Sequence, residues 1–207
     1  MPNPTANKIR YGLKNVYYAV ATIDSDGAAT YGTPVKISGA VNLSLEAQGE
    51  RSVFHADDID YYTAVANDGY EGDLEIALVP ASFEKDILGA EESDESVLIE
   101  SKDAEPGHFA LLFEFRGDQH KVRHVMYNCT ATRPTVEGET KAEGIEPKTE
   151  TLSIKAGSIY NAALDKDIVK AKTKEDTDTE TYNAWFSEVY QPTESQNTPS
   201  TESQSTP

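Results

Sequence analysis

Alternation of apolar and polar residues constrains this chain more than any other feature. Leu74, Ile76 and Leu78 alternate with Asp73, Glu75 and Ala77. Successive side chains of a strand point to opposite faces, so this run predicts a strand with one buried face and one acidic face. Residues 14–23 are rich in Val and Tyr, and Val35, Ile37, Val41, Leu43 and Leu45 alternate around Gly39, the place for a bulge or bend. Phe109, Leu111, Phe113 and Phe115 define another strand. It turns at Gly117-Asp118, glycine first as a type II′ hairpin prefers, into Val122, His124 and Met126. Residues 150–156, with Leu152 and Ile154 inward, and residues 167–171 predict late strands. The pattern is that of a mostly antiparallel β protein.

Two helices interrupt the strands. Residues 80–89 open on Pro80, carry Phe83 and Ile87 on one face and stop at Gly89. From about 179 to 189, Tyr182, Trp185, Phe186 and Val189 recur at helical spacing. The only tryptophan of the chain lies on that stripe, which either docks on the sheet as core or packs on a neighbouring subunit. Residues 133–148 read as loop. Residues 191–207 hold no apolar side chain and repeat Thr-Glu-Ser-Gln, so a disordered tail is expected after one domain ending near 190.

Charge narrows the function. There are 36 acids against 18 bases, a formal charge of −18, and residues 46–105 alone hold 18 acids and 3 bases. These acids are interleaved with strand-forming residues, so a fold holds them at fixed positions. Such a balance argues against a high-affinity grip on nucleic acid or on an anionic membrane. The longest apolar stretches, such as Phe109-Ala-Leu-Leu-Phe113, fall far short of the ~20 residues that span a bilayer. The opening lacks the apolar core of a secretory signal, and Cys129 is the lone cysteine. A reducing compartment is expected.

No catalytic, cofactor or metal site emerges. Gly-x-Ser-x-Gly and Gly-x-Gly-x-x-Gly are absent. His120 and His124 have the zinc-helix spacing but sit in strand text, ~13 Å apart, where they cannot clasp one metal. Carboxylate pairs are frequent because the chain is acidic, which makes them weak evidence for glycosidase chemistry. Asp57-Asp58-Ile-Asp60 offers oxygen ligands for calcium but lacks the glycine and terminal glutamate of an EF-hand loop. Arg116-Gly117-Asp118 spells an integrin tripeptide and is explained as a hairpin turn.

The order of features resembles a known family. Asn7-Lys-Ile-Arg-Tyr-Gly-Leu-Lys-Asn-Val-Tyr-Tyr-Ala19 is followed by Gly32-Thr-Pro34, Gly39-Ala-Val-Asn-Leu43, Phe54-His-Ala-Asp-Asp58 and Tyr61-Tyr62. Asn67-Asp-Gly-Tyr-Glu-Gly-Asp-Leu-Glu75 leads into the first helix, and Phe109-Ala-Leu-Leu-Phe-Glu-Phe-Arg-Gly-Asp118 and Arg123-His124 come later. Over residues 7–156 this resembles the major tail protein, or tail tube protein, of long non-contractile-tailed bacteriophages. The resemblance implies an antiparallel β-sandwich with one short flanking helix, to which the stripe at 179–189 adds a C-terminal helix. It implies a structural virion protein, assembled in the host bacterial cytoplasm with itself and other tail proteins. Six copies would close a ring, and rings would stack into a tube through which double-stranded DNA passes transiently. A loop at roughly 46–67, with Phe54, Tyr61 and Tyr62, would reach the next ring. Aromatics of this kind are enriched at interfaces.

The charge then acquires a physical reason. Duplex DNA carries one negative charge per ~1.7 Å of axis, so a basic lining would bind it. An acidic wall keeps phosphates away within a Debye length of ~8 Å. Asp73 and Glu75, on the outer face of their strand, are the candidate lumen-lining residues. The competing readings are a monomeric acidic β-sandwich that binds a ligand or glycan, and an acidic hydrolase using a carboxylate pair.

Overall fold

The computed structural model describes residues 11–56, 59–116, 121–138 and 148–193, with the side chains of 51–56, 60, 61, 63 and 64 outside the described set. Seven strands precede the first helix: β1 (Leu13–Ile23), β2 (Ala29–Tyr31), β3 (Val35–Ile37), β4 (Ala40–Gln48), β5 (Arg51–Ala56), β6 (Ile59–Val65) and β7 (Gly69–Ile76). Helix α1 (Ala81–Asp86) and the small hairpin β8 (Glu91–Glu92) and β9 (Leu98–Ile99) follow. Next come β10 (His108–Phe115), β11 (Arg123–Ala131), β12 (Glu150–Gly157), β13 (Ile159–Asn161), β14 (Lys166–Ile168) and β15 (Lys170–Lys172), before α2 (Thr179–Ala184). The protein is mainly β and antiparallel, with two short helices, as the alternation and the family resemblance predict.

The main ladder runs β2-β1-β10-β11-β12-β7-β4, and β3 pairs back onto β1, with Val16 opposite Ile37 and Tyr18 opposite Val35. Because β3 passes through Ser38 and Gly39 straight into β4, the ladder returns to its starting strand. The layer β1–β10–β11 therefore joins the layer β12–β7–β4 on both sides. Gly39 makes the join: its φ of +84° lies in the left-handed region, and its carbonyl accepts a hydrogen bond from Ala77 N at 2.8 Å.

One core lies between the layers. Val16, Tyr18, Phe109, Leu111, Leu74 and Leu152 are at most 1% exposed in it. Helix α1 contributes Phe83, which packs edge-on against Tyr18 and Phe109 at centroid distances of 5.0 and 5.4 Å. A second core covers the outer face of β1–β10–β11. Ala19, Ala110, Leu112, Val125 and Tyr127 meet Trp185 and Val189 there.

Trp185 is 2% exposed, stacks on Tyr190 at 5.3 Å and directs its indole N–H at the His124 carbonyl, 3.4 Å away. The aromatic stripe is thus core within its own chain. Arg123 anchors the same segment: its guanidinium lies 3.8 Å from the Tyr182 ring centroid and donates to the Tyr182 carbonyl, and Nε is 3.4 Å from Glu114. Asp178 caps α2 by accepting from Thr181 N at 3.0 Å.

Several boundaries differ from the sequence expectation. β7 ends at Ile76 and the chain bends, so Leu78 is 68% exposed and Val79, at 3%, enters the core in its place. The helix expected to 189 ends at Ala184, and a tighter turn delivers Trp185 to the sheet. Residues 167–171 divide into β14 and β15 around Val169, whose carbonyl accepts from Tyr127 N. Residues 46–48 are the end of β4, and 51–56 and 59–65 pair as the β5–β6 hairpin where a loop was expected. The Gly117-Asp118 turn, His120, Asp57-Asp58 and residues 194–207 lie outside the described residues.

Candidate functional site

The outer face of β12–β7–β4 is built differently from its counterpart. Tyr70, Gly72, Leu74 and Ile76 turn toward the core, which leaves Glu71, Asp73 and Glu75 on the other face. Register aligns them with both neighbours: Ser44, Asp73 and Ser153 form one row, Asn42, Glu75 and Thr151 a second, and Glu46, Glu71 and Lys155 a third. All nine side chains are polar, with four carboxylates against one lysine. Thr149 Oγ1 donates to Glu75 Oε1 at 2.6 Å, and Asp73 is exposed. Carboxylates two residues apart on a strand sit ~6–7 Å from each other, an acidic row along the strand.

Sequence reasoning named Asp73 and Glu75, and the structure places both in this row. It missed Glu71, which shares their parity and was legible by the same rule. Glu46 was legible only as one acid among many, because its place opposite Glu71 depends on the register of β4. Gly72 makes that register possible. A Cβ there would lie 1.9 Å from the Ser44 carbonyl oxygen, so only glycine lets β4 approach.

β4 has a second property. Over 40–48 its only ladder partner among the described residues is β7, so its other edge has no strand paired to it there. An edge of this kind is a template for another chain.

The remaining candidates gather on the β5–β6 hairpin, a two-stranded sheet of its own. Phe54 lies opposite Tyr62 in its register, with Tyr61 alongside. Tyr62 is 64% exposed, and Ile59 and Val65 are exposed with it. The side chains of Phe54 and Tyr61 lie outside the described set. A lone two-stranded hairpin is marginal in water, and apolar side chains displayed on one mark a contact surface.

Among the described residues no group of three His, Cys, Asp or Glu is arranged to hold a metal ion, and no helix is long and apolar enough to cross a membrane. The Cys129 thiol is fully enclosed in the core and desolvation pushes its pKa up to about 12, so it remains protonated and inert at neutral pH.

A sealed face, a bare acidic face, an open strand edge and a protruding hairpin describe a structural protein that works through its surfaces. The family comparison specifies which: a family model described as phage tail tube protein matches residues 2–198, and the chain belongs to that family. It is a structural component of the virion tail, associating with itself and with other tail proteins, and it is not an enzyme. A search of curated proteins found no match.

Proposed function

We propose that six copies close into a ring with the β12–β7–β4 layers turned inward, and that rings stack into a tube through which double-stranded DNA is ejected. The observation that carries this reading is the contrast between the two outer faces. The face of β1–β10–β11 is sealed by the chain's own Trp185 segment, while the other face is bare, polar and acidic. A bare polar sheet face suits a water-filled bore. Asp73 and Glu75, with Glu71 between the same neighbouring strands, repel phosphate there and keep the duplex from adhering.

The free edge of β4 supports lateral closure, since it offers backbone donors and acceptors to the next copy. The β5–β6 hairpin, with Phe54, Tyr61 and Tyr62, supports contact with the adjacent ring, because its ladder closes only on itself. Assembly in the host bacterial cytoplasm precedes incorporation in the virion on this reading. Electron microscopy of the concentrated protein tests it. Rings or hollow rods are expected, and a strictly monomeric field contradicts it. Charge reversal of Asp73 and Glu75 to lysine should then slow DNA ejection while tubes still form; unchanged ejection removes the electrostatic role.

A further inference from the structure

A groove of about 240 Å³ lies at one end of the sandwich, where β11 exits and β12 enters. Leu88, Leu98, Pro134 and Val136 give it an apolar lining, and Glu84, Glu100 and Glu150 contribute carboxylates. Arg133 pairs with Glu100 at 3.1 Å, and Glu150 accepts from Val79 N at 2.6 Å. Glu84 is held above the ordinary carboxylate range by desolvation first and by the Glu150 and Glu100 charges next. The surrounding stretch 84–105 adds to the field, with nine acids and two lysines. Val136 is 96% exposed and Val97 56%, so among the described residues apolar surface stands uncovered beside the acids.

The described chain starts at the opposite end. Leu13 pairs with Phe115 and Arg116 N donates to the Gly12 carbonyl, whereas His108, at the other end of β10, lies beside Ala21 on the side of α1. Eight residues of strand separate the two ends by ~26 Å. Residues 1–10 hold Lys8, Ile9 and Arg10 and no acid. In a head-to-tail stack the start of one copy faces the groove of the next.

We propose that the groove between α1, the β8–β9 hairpin and the 133–136 segment receives residues 1–10 of a second copy, with Lys8 and Arg10 meeting Glu84 and Glu150 and Ile9 meeting the apolar lining. This rests on the stacking proposed above and names a second contact within it. Charge selects the occupant. The β5–β6 hairpin also leaves toward the far end, but residues 49–67 hold four acids and one arginine, the same sign as the groove. Like charges brought together across an interface are disfavoured.

Carbodiimide coupling of the assembled full-length protein, prepared as a mixture of light and heavy nitrogen isotopes, tests the contact directly. Lys8–Glu84 links joining a light chain to a heavy one are expected. In parallel, Lys8→Glu with Arg10→Glu should raise the concentration needed for assembly about tenfold, Glu84→Lys should do the same, and the combination should restore it. Links confined to single-isotope pairs would place the segment on its own chain and overturn the proposal. Charge variants that assemble like the parent, or a combination without rescue, also overturn it, while tubes that still form leave the stacking itself intact. A parent protein that forms no tubes removes both.

Discussion

The two outer faces of this sandwich come from the same alternating text and meet opposite fates. On β1–β10–β11 the outward residues Ala19, Ala110, Leu112 and Val125 are apolar, so the face needs a cover, and the chain supplies one in Trp185 and Val189. On β12–β7–β4 the outward residues are Ser, Thr, Asn, Glu, Asp and Lys, and no element of the described chain covers them. One face is covered by its own chain, and the other is the face that the proposed function puts to use. A strand buried on both sides loses its alternation, and a strand bare on one side keeps it, which is why β7 is legible in the sequence and β10 reads as an apolar run.

The comparison can be broken most severely at Trp185. Trp185→Ala should cost about 3–5 kcal/mol, because it empties the centre of the covered face. Urea unfolding followed by circular dichroism measures it, and a loss under 1 kcal/mol would mean that the C-terminal segment adds little to the fold. Gly72→Ala strikes the other layer from within, forcing a Cβ against the Ser44 carbonyl. A loss of about 1–3 kcal/mol is expected, with hydrogen exchange accelerated along β4 more than along β10.

Smaller effects sharpen the contrast. The Tyr127 hydroxyl is buried under the C-terminal cover with no hydrogen-bond partner among the described residues, and desolvation first, then the nearby Tyr31 and Tyr190, drives its pKa far up. Tyr127→Phe should leave stability unchanged or raise it by up to about 1 kcal/mol in thermal melts, since it removes an unsatisfied polar atom. Smallest is the double change Asp73→Asn with Glu75→Gln on the bare face. It should move stability by no more than about 0.5 kcal/mol, because Asp73 is exposed and the hydrogen bond that half-buried Glu75 accepts from Thr149 is a surface one that a glutamine can keep. On the function proposed above, its consequence is expected in the passage of DNA, read as ejection kinetics.

How far the sequence was legible follows from the range over which each feature is decided. The faces of β7, the bend at Gly39 and the core positions Phe83 and Ile87 are local, set by parity or by a helical turn, and they are readable. Leu78 misled because its alternation continues past the point where the chain bends toward Pro80, and alternation alone does not report where a strand ends. The β3–β1 pairing that closes the sheet joins segments nearly twenty residues apart and leaves no mark in either. Trp185 was readable as one face of a helix, but its partner, the outer face of β11, was settled only by packing. The 46–67 segment was expected as a loop because the family resemblance implies one there, yet 46–48 end β4 and 51–56 pair with 59–65 as strands, a pairing that joins two short segments with little alternation of their own. For the candidate site, Asp73 and Glu75 came from parity, whereas the rows they share with Ser44, Ser153, Asn42 and Thr151 required three registers at once.

The most direct test is a cryo-electron microscopy reconstruction of the assembled tube at a resolution that shows side chains. The account predicts a six-fold ring whose bore is walled by the β12–β7–β4 face, with the Asp73 and Glu75 carboxylates toward the axis and the Trp185 segment away from it. A tube with the Trp185 segment facing the bore, or with those carboxylates on the outer surface, would contradict it.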